Sequence, residues 1–290
     1  DSLAGDRVVR IMGIVNGTTN YILDRMDSEG ADFADVLADA QRLGYAEADP
    51  TADVEGYDAA QKAAILASLA FHTAVPLEAV HREGITTITA AMIEEARDAG
   101  FVIKLLAVCE RLIDDAAESI SVRVYPALVP RSHPLASVHG ANNAVFVEAE
   151  AAGSLMFYGA GAGGVQTASA VLGDVVSAAR RHIAGGVGQG ESTRANLPIV
   201  PIGHVTTRYQ ITLEVDDEPG VLAAIAGILS EGGVSVATVV QTVDPDQEGT
   251  ARLMIGTHTA TDSALSDTVA RLDASDVVEK VVSVLRVEGE

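Results

Sequence analysis

Five carboxylates, Glu47, Asp49, Asp53, Glu55 and Asp58, lead to Lys62 in the stretch GYAEADPTADVEGYDAAQK (44–62), and Lys62 is one of only three lysines beside sixteen arginines. Two readings fit. The first is a solvated acidic loop entering a helix, with Asp58 and Lys62 as an ordinary surface pair at i, i+4 contributing a few tenths of a kcal/mol. The second is a site that binds a small ammonium-bearing molecule and hands it a proton. The helix that would start near Gly56, YDAAQKAAILASLAFHT, is too apolar to give Lys62 a broad solvated face. A partly buried lysine among carboxylates can serve as a tuned proton donor, while the spare carboxylates receive an ammonium or hydroxyl. The run lacks the D-x-D-x-D-G pattern of a calcium loop, and no histidine lies near enough in sequence to suggest zinc, so no metal ligand is assigned.

A second stretch invites chemistry. Gly159, Gly161 and Gly164 in YGAGAGGVQ match G-x-G-x-x-G between a strand-like segment and a helix. Glycines there let the backbone approach a pyrophosphate at a helix N-terminus. A dinucleotide fold also needs a following strand with an acidic residue about 20 residues on, whereas this helix runs into glycine-rich sequence. The loop is therefore either a structural turn or one wall of a cofactor site completed elsewhere. Cys109, the single cysteine, lies in the apolar run FVIKLLAVCERL and reads as a buried structural thiol in a reducing cytoplasm.

The elements that must position these residues follow from periodicity. Val8 to Val15 reads as a strand; NGTTN (16–20) offers turn and capping groups, with a helix starting near Thr18. FADVLADAQRLG has helical spacing that closes at Gly44. The acidic run is expected as a loop, and the stretch from Gly56 as a long buried helix. ITAAMIEEARDAGFVIKLLAVCERL reads as helix into strand, ESISVRVYPALV as a strand, AVFVEAEAAGSLMFYGAGAGG as a hairpin entering the glycine loop, and QTASAVLGDVVSAARRHIA as a helix. Residues 185–205 form a glycine- and proline-rich linker. From Thr206 the order is βαββαβ, with DDEPG before the first helix and DPDQEG as a hairpin turn, which is the order of a ferredoxin-like sandwich. The fold class is thus α+β, with a mixed-sheet domain at 1–184 and a smaller domain at 206–290.

At 290 residues, 48% hydrophobic and 21% charged, the chain can bury a substantial core. A formal net charge of −22 excludes a nucleic-acid partner and docking on anionic lipid. No run approaches the roughly 18 apolar residues of a membrane span, and no basic-then-apolar leader opens the chain. The start, DSLAGDRVVRI, has no initiator methionine, so a segment upstream is expected.

MGIVNGTTNYIL (12–23), GYAEADPTADVEGYDAAQK (44–62) and YGAGAGGVQTASAVLGDV (158–175), in this order and spacing, resemble the catalytic region of homoserine dehydrogenases over residues 8 to about 184. DDEPGVLAAIAGIL followed by GGVSVATVVQ resembles an ACT domain, an amino-acid-sensing module. The resemblance implies an NAD(P)-dependent interconversion of L-homoserine and L-aspartate 4-semialdehyde, on the cytoplasmic route to threonine, methionine and isoleucine. Lys62 matches the family's proton donor, Glu47 and Asp58 its carboxylates for the substrate amino and hydroxyl groups, and Asp53 a further carboxylate at the site. Gly17, Thr18 and Tyr45 would line the substrate through backbone groups; Gly44 and Gly163 would meet the nicotinamide end of NADP or NAD. An effector, threonine by analogy, would sit by Asp216, Asp217, Gly220, Val221 and Leu222, where a helix N-terminus can take a carboxylate. Family members begin with a nucleotide-binding domain carrying a complete G-x-G-x-x-G and a second catalytic lysine. The resemblance begins after it, so the chain is expected to be the substrate-binding and regulatory part, inactive in redox catalysis alone, with its cofactor site completed by that domain. A homo-oligomer, dimer or tetramer, is expected. The alternative from another class is a non-catalytic amino-acid-sensing or scaffolding protein.

Overall fold

The computed structural model describes residues 3, 5–114, 117–185, 193–243 and 249–289. Strand β1 (Val8–Ile14) delivers the chain to Asn16, whose side-chain oxygen accepts from the Thr19 amide at 2.9 Å and so caps α1 (Gly17–Glu29). Helix α2 (Phe33–Leu43) ends at Gly44, whose φ of 79° lets the Tyr45 amide turn back to the Ala40 carbonyl at 2.9 Å. The acidic run, expected as loop, contains a one-turn helix, α3 (Thr51–Val54). It is nucleated by Asp49, whose carboxylate accepts from both the amide and the hydroxyl of Thr51.

Helix α4 (Tyr57–Phe71) follows Gly56. Ala59, Ala60, Ala63, Ala67 and Phe71 are buried on its sheet side, while Ile65 and Leu69 face outward. The expected long buried helix is present and is buried on one face, because it lies on the sheet as an outer layer. Next come β2 (His81–Arg82), α5 (Ala90–Asp98), the long strands β3 (Phe101–Asp114) and β4 (Ala117–Pro130), then β5 (Asn142–Ala149), β6 (Gly153–Ala160) and α6 (Gly164–Ile183). The sheet order is β6-β5-β1-β3-β4, antiparallel throughout, with β2 added parallel to β4. One face carries the helices over a core that includes Ile11, Ile22, Leu23, Met26, Leu105 and Cys109. The other face buries Met12, Leu106, Val108, Tyr125 and Leu135. Cys109 is fully buried, and that burial pushes its thiol up to about 12, which makes it an inert core residue.

Residues 193–205 do not hang free. The Leu197 amide donates to Thr73 Oγ1 at 3.0 Å, and Ile120 on β4 exchanges bonds with Pro198 and Val200 at 2.9 Å each. Strand β7 (Thr206–Asp216), α7 (Val221–Glu231), β8 (Val236–Val243), β9 (Thr250–Thr257), β10 (Ala260–Thr261), α8 (Asp262–Asp273) and β11 (Val278–Val287) complete the chain. The DPDQEG turn lies outside the described residues except for Gly249. Strand order β11-β7-β9-β8, all antiparallel, is the fourth-first-third-second order of the ferredoxin-like sandwich, over its own core of Ile211, Leu213, Ile225, Leu253 and Leu265. Among the described residues no helix is long and apolar enough to cross a membrane.

Strand β11 also pairs with β4, parallel, through Arg286↔Ala127 and Val287↔Leu128, so both units share one mixed 11-stranded sheet. Just beyond, buried Glu288 accepts from Arg10 of β1 and from the Tyr125 hydroxyl. Arg123 reaches Tyr125 at 2.9 Å and Glu110 at 2.6 Å. Burial opposes ionisation of Arg123, yet Tyr125, Glu288 and Glu110 more than offset it, and the guanidinium stays charged in the core.

Candidate active site

Three of the residues expected at the site, Asp53, Asp58 and Lys62, meet where β1 ends. Lys62 Nζ, one turn after Asp58 on α4, donates to Asp58 Oδ2 at 2.7 Å and to the Val15 carbonyl at 2.9 Å. The Asn16 side-chain amide donates to that same Asp58 oxygen at 2.9 Å and to Asp53 Oδ1 at 2.7 Å. Lys62, Asp58, Asp53, Asn16 and the Val15 carbonyl therefore form one bonded cluster, built from three separate elements. The Lys62 side chain is 45% exposed and that of Asp58 is 32% exposed. The lysine is thus partly buried, in the second turn of α4, with its Nζ held by Asp58 and the Val15 carbonyl.

Thr18 and Tyr45 are joined as well: Thr18 Oγ1 donates to the Tyr45 carbonyl at 2.6 Å, and the Tyr45 ring leans on Tyr21 with centroids 4.9 Å apart. Gly17 is required by packing, since a Cβ there would stand 2.6 Å from the Ala141 carbonyl oxygen. Glu47 lies on the exposed loop after Gly44; its carbonyl accepts from Gln41 at 3.0 Å, and its carboxylate makes no hydrogen bond among the described residues. Of the two carboxylates given no site role, Asp49 nucleates α3, with the Thr51 hydroxyl and amide holding it below the usual aspartate range. Glu55 accepts from Thr86 Oγ1 at 3.0 Å.

The glycine loop joins β6 to α6 as expected, and Gly163 sits at φ 124°, open to a glycine alone. Around it is an open groove of about 640 Å³ lined by Gly163, Gly164, Thr167, Ala168, Val171 and Leu172. No residue of α6 is buried despite this apolar content. Gly161 is pinned by Asn143 of β5, because a Cβ there would lie 2.1 Å from its amide nitrogen. Asn143 donates to the Val15 carbonyl at 3.2 Å, so Val15 receives both Lys62 and Asn143, while Asn143 Oδ1 is buried with no hydrogen-bond partner among the described residues. A bare backbone cradle, an apolar groove and an unpaired acceptor beside the lysine fit the nicotinamide end of a dinucleotide. Gly44, the C-cap of α2, sits at φ 79°, where an added Cβ would meet nothing within 4 Å.

At the other unit, Asp217 accepts from Gln241 at 3.1 Å, and Gly220 (φ 103°) precedes Val221 and the exposed Leu222 at the start of α7; Asp216 ends β7. Among the described residues no group of three or more His, Cys, Asp or Glu side chains could hold a metal ion.

Sequence reasoning missed Asn16 and Asn143 as members of the cluster. It also missed Lys104 on β3, 2% exposed, which donates to Asn20 Oδ1 at 2.9 Å and the Val138 carbonyl at 2.7 Å. The signal for Asn16 was present in NGTTN, where a cap residue adjoins the strand end. Nothing local marks Asn143 or Lys104, whose side-chain partners lie 34 or more positions away.

Comparison with known proteins places this geometry in context. Residues 1–176 match the family model described as homoserine dehydrogenase, and residues 209–276 the model described as ACT domain. The chain is 60% identical over 292 residues to the homoserine dehydrogenase of Mycobacterium tuberculosis, covering 99% of this chain and 66% of that protein. It is 60% identical to the Corynebacterium glutamicum homoserine dehydrogenase, covering 100% of this chain and 64% of that protein. The chain thus spans about two thirds of the length of the curated relatives it matches. The crystal structure of a homoserine dehydrogenase from Thiobacillus denitrificans superposes with a TM-score of 0.91 at 38% identity, covering 99% of this chain and 66% of that one. A hyperthermophilic archaeal homoserine dehydrogenase mutant, solved in complex with NADPH, superposes with a TM-score of 0.50 at 30% identity over 62% of this chain and 50% of that one.

Proposed function

The chain belongs to the homoserine dehydrogenase family, and from that membership we propose that it carries the substrate side of an NAD(P)-dependent interconversion of L-homoserine and L-aspartate 4-semialdehyde. The observation that carries the proposal is the bonded cluster of Lys62, Asp58, Asp53 and Asn16 at the end of β1. The cofactor, bound against Gly163 and Gly44, supplies hydride transfer; a nucleotide-binding unit seated on the exposed apolar face of α6 would complete that site. Glu47, Asp53 and Asp58 receive the substrate ammonium and hydroxyl, with Gly17, Thr18 and Tyr45 lining the pocket through their backbones. Lys62 returns a proton to the substrate oxygen in the reductive direction and takes it in the oxidative one. The Val15 carbonyl and Asp58 fix its Nζ for that transfer.

The test is turnover of L-homoserine by the full-length enzyme and its Lys62→Met variant. General acid–base contributions of about 10²–10⁴ predict a loss of that order in kcat. Near-parental turnover in the variant would remove Lys62 from this role.

For the ACT unit the reading is small-molecule binding at Asp216, Asp217, Gly220, Val221 and Leu222, with threonine as effector. Cytoplasmic action and a dimer or tetramer accompany this reading. Millimolar threonine should raise the melting temperature of the full-length protein or change its oligomeric state; neither change at that concentration counts against the effector.

A further inference from the structure

We propose that Asn16 is the positioning residue that sets two of the three substrate-side carboxylates, Asp53 and Asp58, at a fixed separation; this rests on the activity proposed above. Asn16 is only 5% exposed, and its side chain is used at both ends. Its oxygen accepts from the Thr19 amide and Thr19 Oγ1, each at 2.9 Å, which locks the amide plane. The amide nitrogen then has a fixed orientation and spends its two hydrogens on Asp53 and Asp58, one each.

This arrangement solves a physical problem. Asp53 ends up beside Asp58 through the α3–α4 turn, and two close carboxylates repel each other. Lys62 neutralises only one of them, bonding Asp58 Oδ2 and no oxygen of Asp53. An amide between them binds both without adding charge. Because it takes Asp53 Oδ1 and Asp58 Oδ2, the second oxygen of each carboxylate is left with no hydrogen bond from the described residues. Those two oxygens are the acceptors that a substrate ammonium and hydroxyl would meet. Arg82, in the 81–85 segment, is occupied by the Glu55 carbonyl and the Tyr57 ring. Among the described residues Lys62 is the cation bonded to the cluster, and it bonds Asp58.

Serine and aspartate are both good helix caps. Asn16→Ser and Asn16→Asp therefore keep the bond to the Thr19 amide while removing the two-donor amide: Asn16→Asp offers no donor, and the single hydroxyl hydrogen of Asn16→Ser can serve at most one carboxylate. If Asn16 acts only as a cap, the two variants and the parent behave alike. If it positions the carboxylates, KM for L-homoserine rises about tenfold or more in Asn16→Ser, as expected for losing charge-assisted bonds. It rises further in Asn16→Asp, where a third carboxylate joins the pair and also lowers the melting temperature, while KM for NAD(P) stays near its parental value in both variants. Parental KM for homoserine in both variants overturns the proposal. A crystal structure of Asn16→Ser gives a readout independent of turnover: Asp53 and Asp58 should separate or change rotamer, and unmoved carboxylates overturn the proposal whatever the activity. Moved carboxylates in a protein whose parent fails to oxidise homoserine would sink the activity reading instead.

Discussion

Arg286 Nη1, on the last strand, donates to Glu83 Oε1 at 2.8 Å, tying the ACT unit to the segment packed against α3 and α4, which carry the Lys62 cluster. Glu83 is flanked by two contacts with that cluster's scaffold. Arg82 donates to the Glu55 carbonyl and stacks on Tyr57 at 3.6 Å. Gly84 approaches so closely that a Cβ would stand 2.4 Å from the Val54 carbonyl oxygen. Helices α3 and α4, which carry Asp53, Asp58 and Lys62, thus rest on a segment that an ACT-unit cation holds in place.

Glu83→Gln is accordingly expected to cost roughly 1–2 kcal/mol at neutral pH, the cost of weakening a partly buried charged bond while Asp262 still holds Arg286 at 2.8 Å. Burial pushes the Glu83 carboxyl up, but the hydrogen bond from His81 and the Arg286 charge more than reverse this, so it sits below the ordinary glutamate range. The folded state then binds fewer protons than the unfolded one as pH falls through about 4.3. The stabilisation is present above that range and is lost as pH drops through the folded value. Urea midpoints of parent and variant should differ at pH 7 and converge under acid; a gap independent of pH would show that the carboxylate charge is not what matters.

The buried junction beyond Arg286 predicts a larger effect. Glu288 lies among Arg10, Arg123 and Tyr125, and Arg123 is almost fully buried. Removing Glu288 leaves two guanidinium groups facing a low-dielectric pocket with Glu110 as the remaining nearby acid. Glu288→Ala should cost about 3–5 kcal/mol, the usual result of stripping one partner from a buried ionic group. Double replacement of Arg123 and Glu288 by methionine and leucine should cost less than the single change. Chemical unfolding of the parent and the two variants decides it; a double variant worse than Glu288→Ala alone is the contrary result.

The sequence made the local part of this legible. Caps at Asn16 and Gly44, the βαββαβ order and the Asp58–Lys62 spacing all depend on neighbours within a few positions, and periodicity reads such neighbours directly. The short helix α3 escaped because its nucleus is a side-chain bond from Asp49 to Thr51, which an acidic stretch disguises as loop. The fusion of both units into one sheet depends on a two-residue pairing across more than 150 positions, with no pattern of its own. Asn143 and Glu288 were invisible for the same reason: a polar residue on a strand announces neither its partner nor its burial.

Gly17 offers a test of how tightly the site is packed. Its Cα faces the Ala141 carbonyl, backbone that cannot swing aside, and a Cβ would overlap it at 2.6 Å. Gly17→Ala must therefore shift either the first turn of α1 or the 138–143 segment, at a cost of about 1–3 kcal/mol. Since Asn16 and Thr18 flank the shifted residue, homoserine KM should rise along with the loss of thermal stability. An alanine variant with parental melting and KM would mean that the two segments have room the structure does not contain.

Lys104 gives the last prediction, with an unusual sign. Its ammonium is buried between β3 and α1, bonded to Asn20 and the Val138 carbonyl; Asp24 and Asp27 attract it and Arg131 opposes it. Burial outweighs those charges and lowers its pKa to about 8. Unfolded, the lysine keeps its proton to about 10.4. Between those values the unfolded chain binds more protons, so unfolding free energy rises with pH across the window, the reverse of a lysine that gains a carboxylate partner. Relative to Lys104→Met, the parent should gain about 1 kcal/mol of stability between pH 7.5 and 9. Comparing the two proteins also removes the opposing slope from Cys109, whose buried thiol holds its proton to about 12 in either one. Parallel stability curves for parent and variant over that range would mean that Lys104 carries no buried charge to relieve.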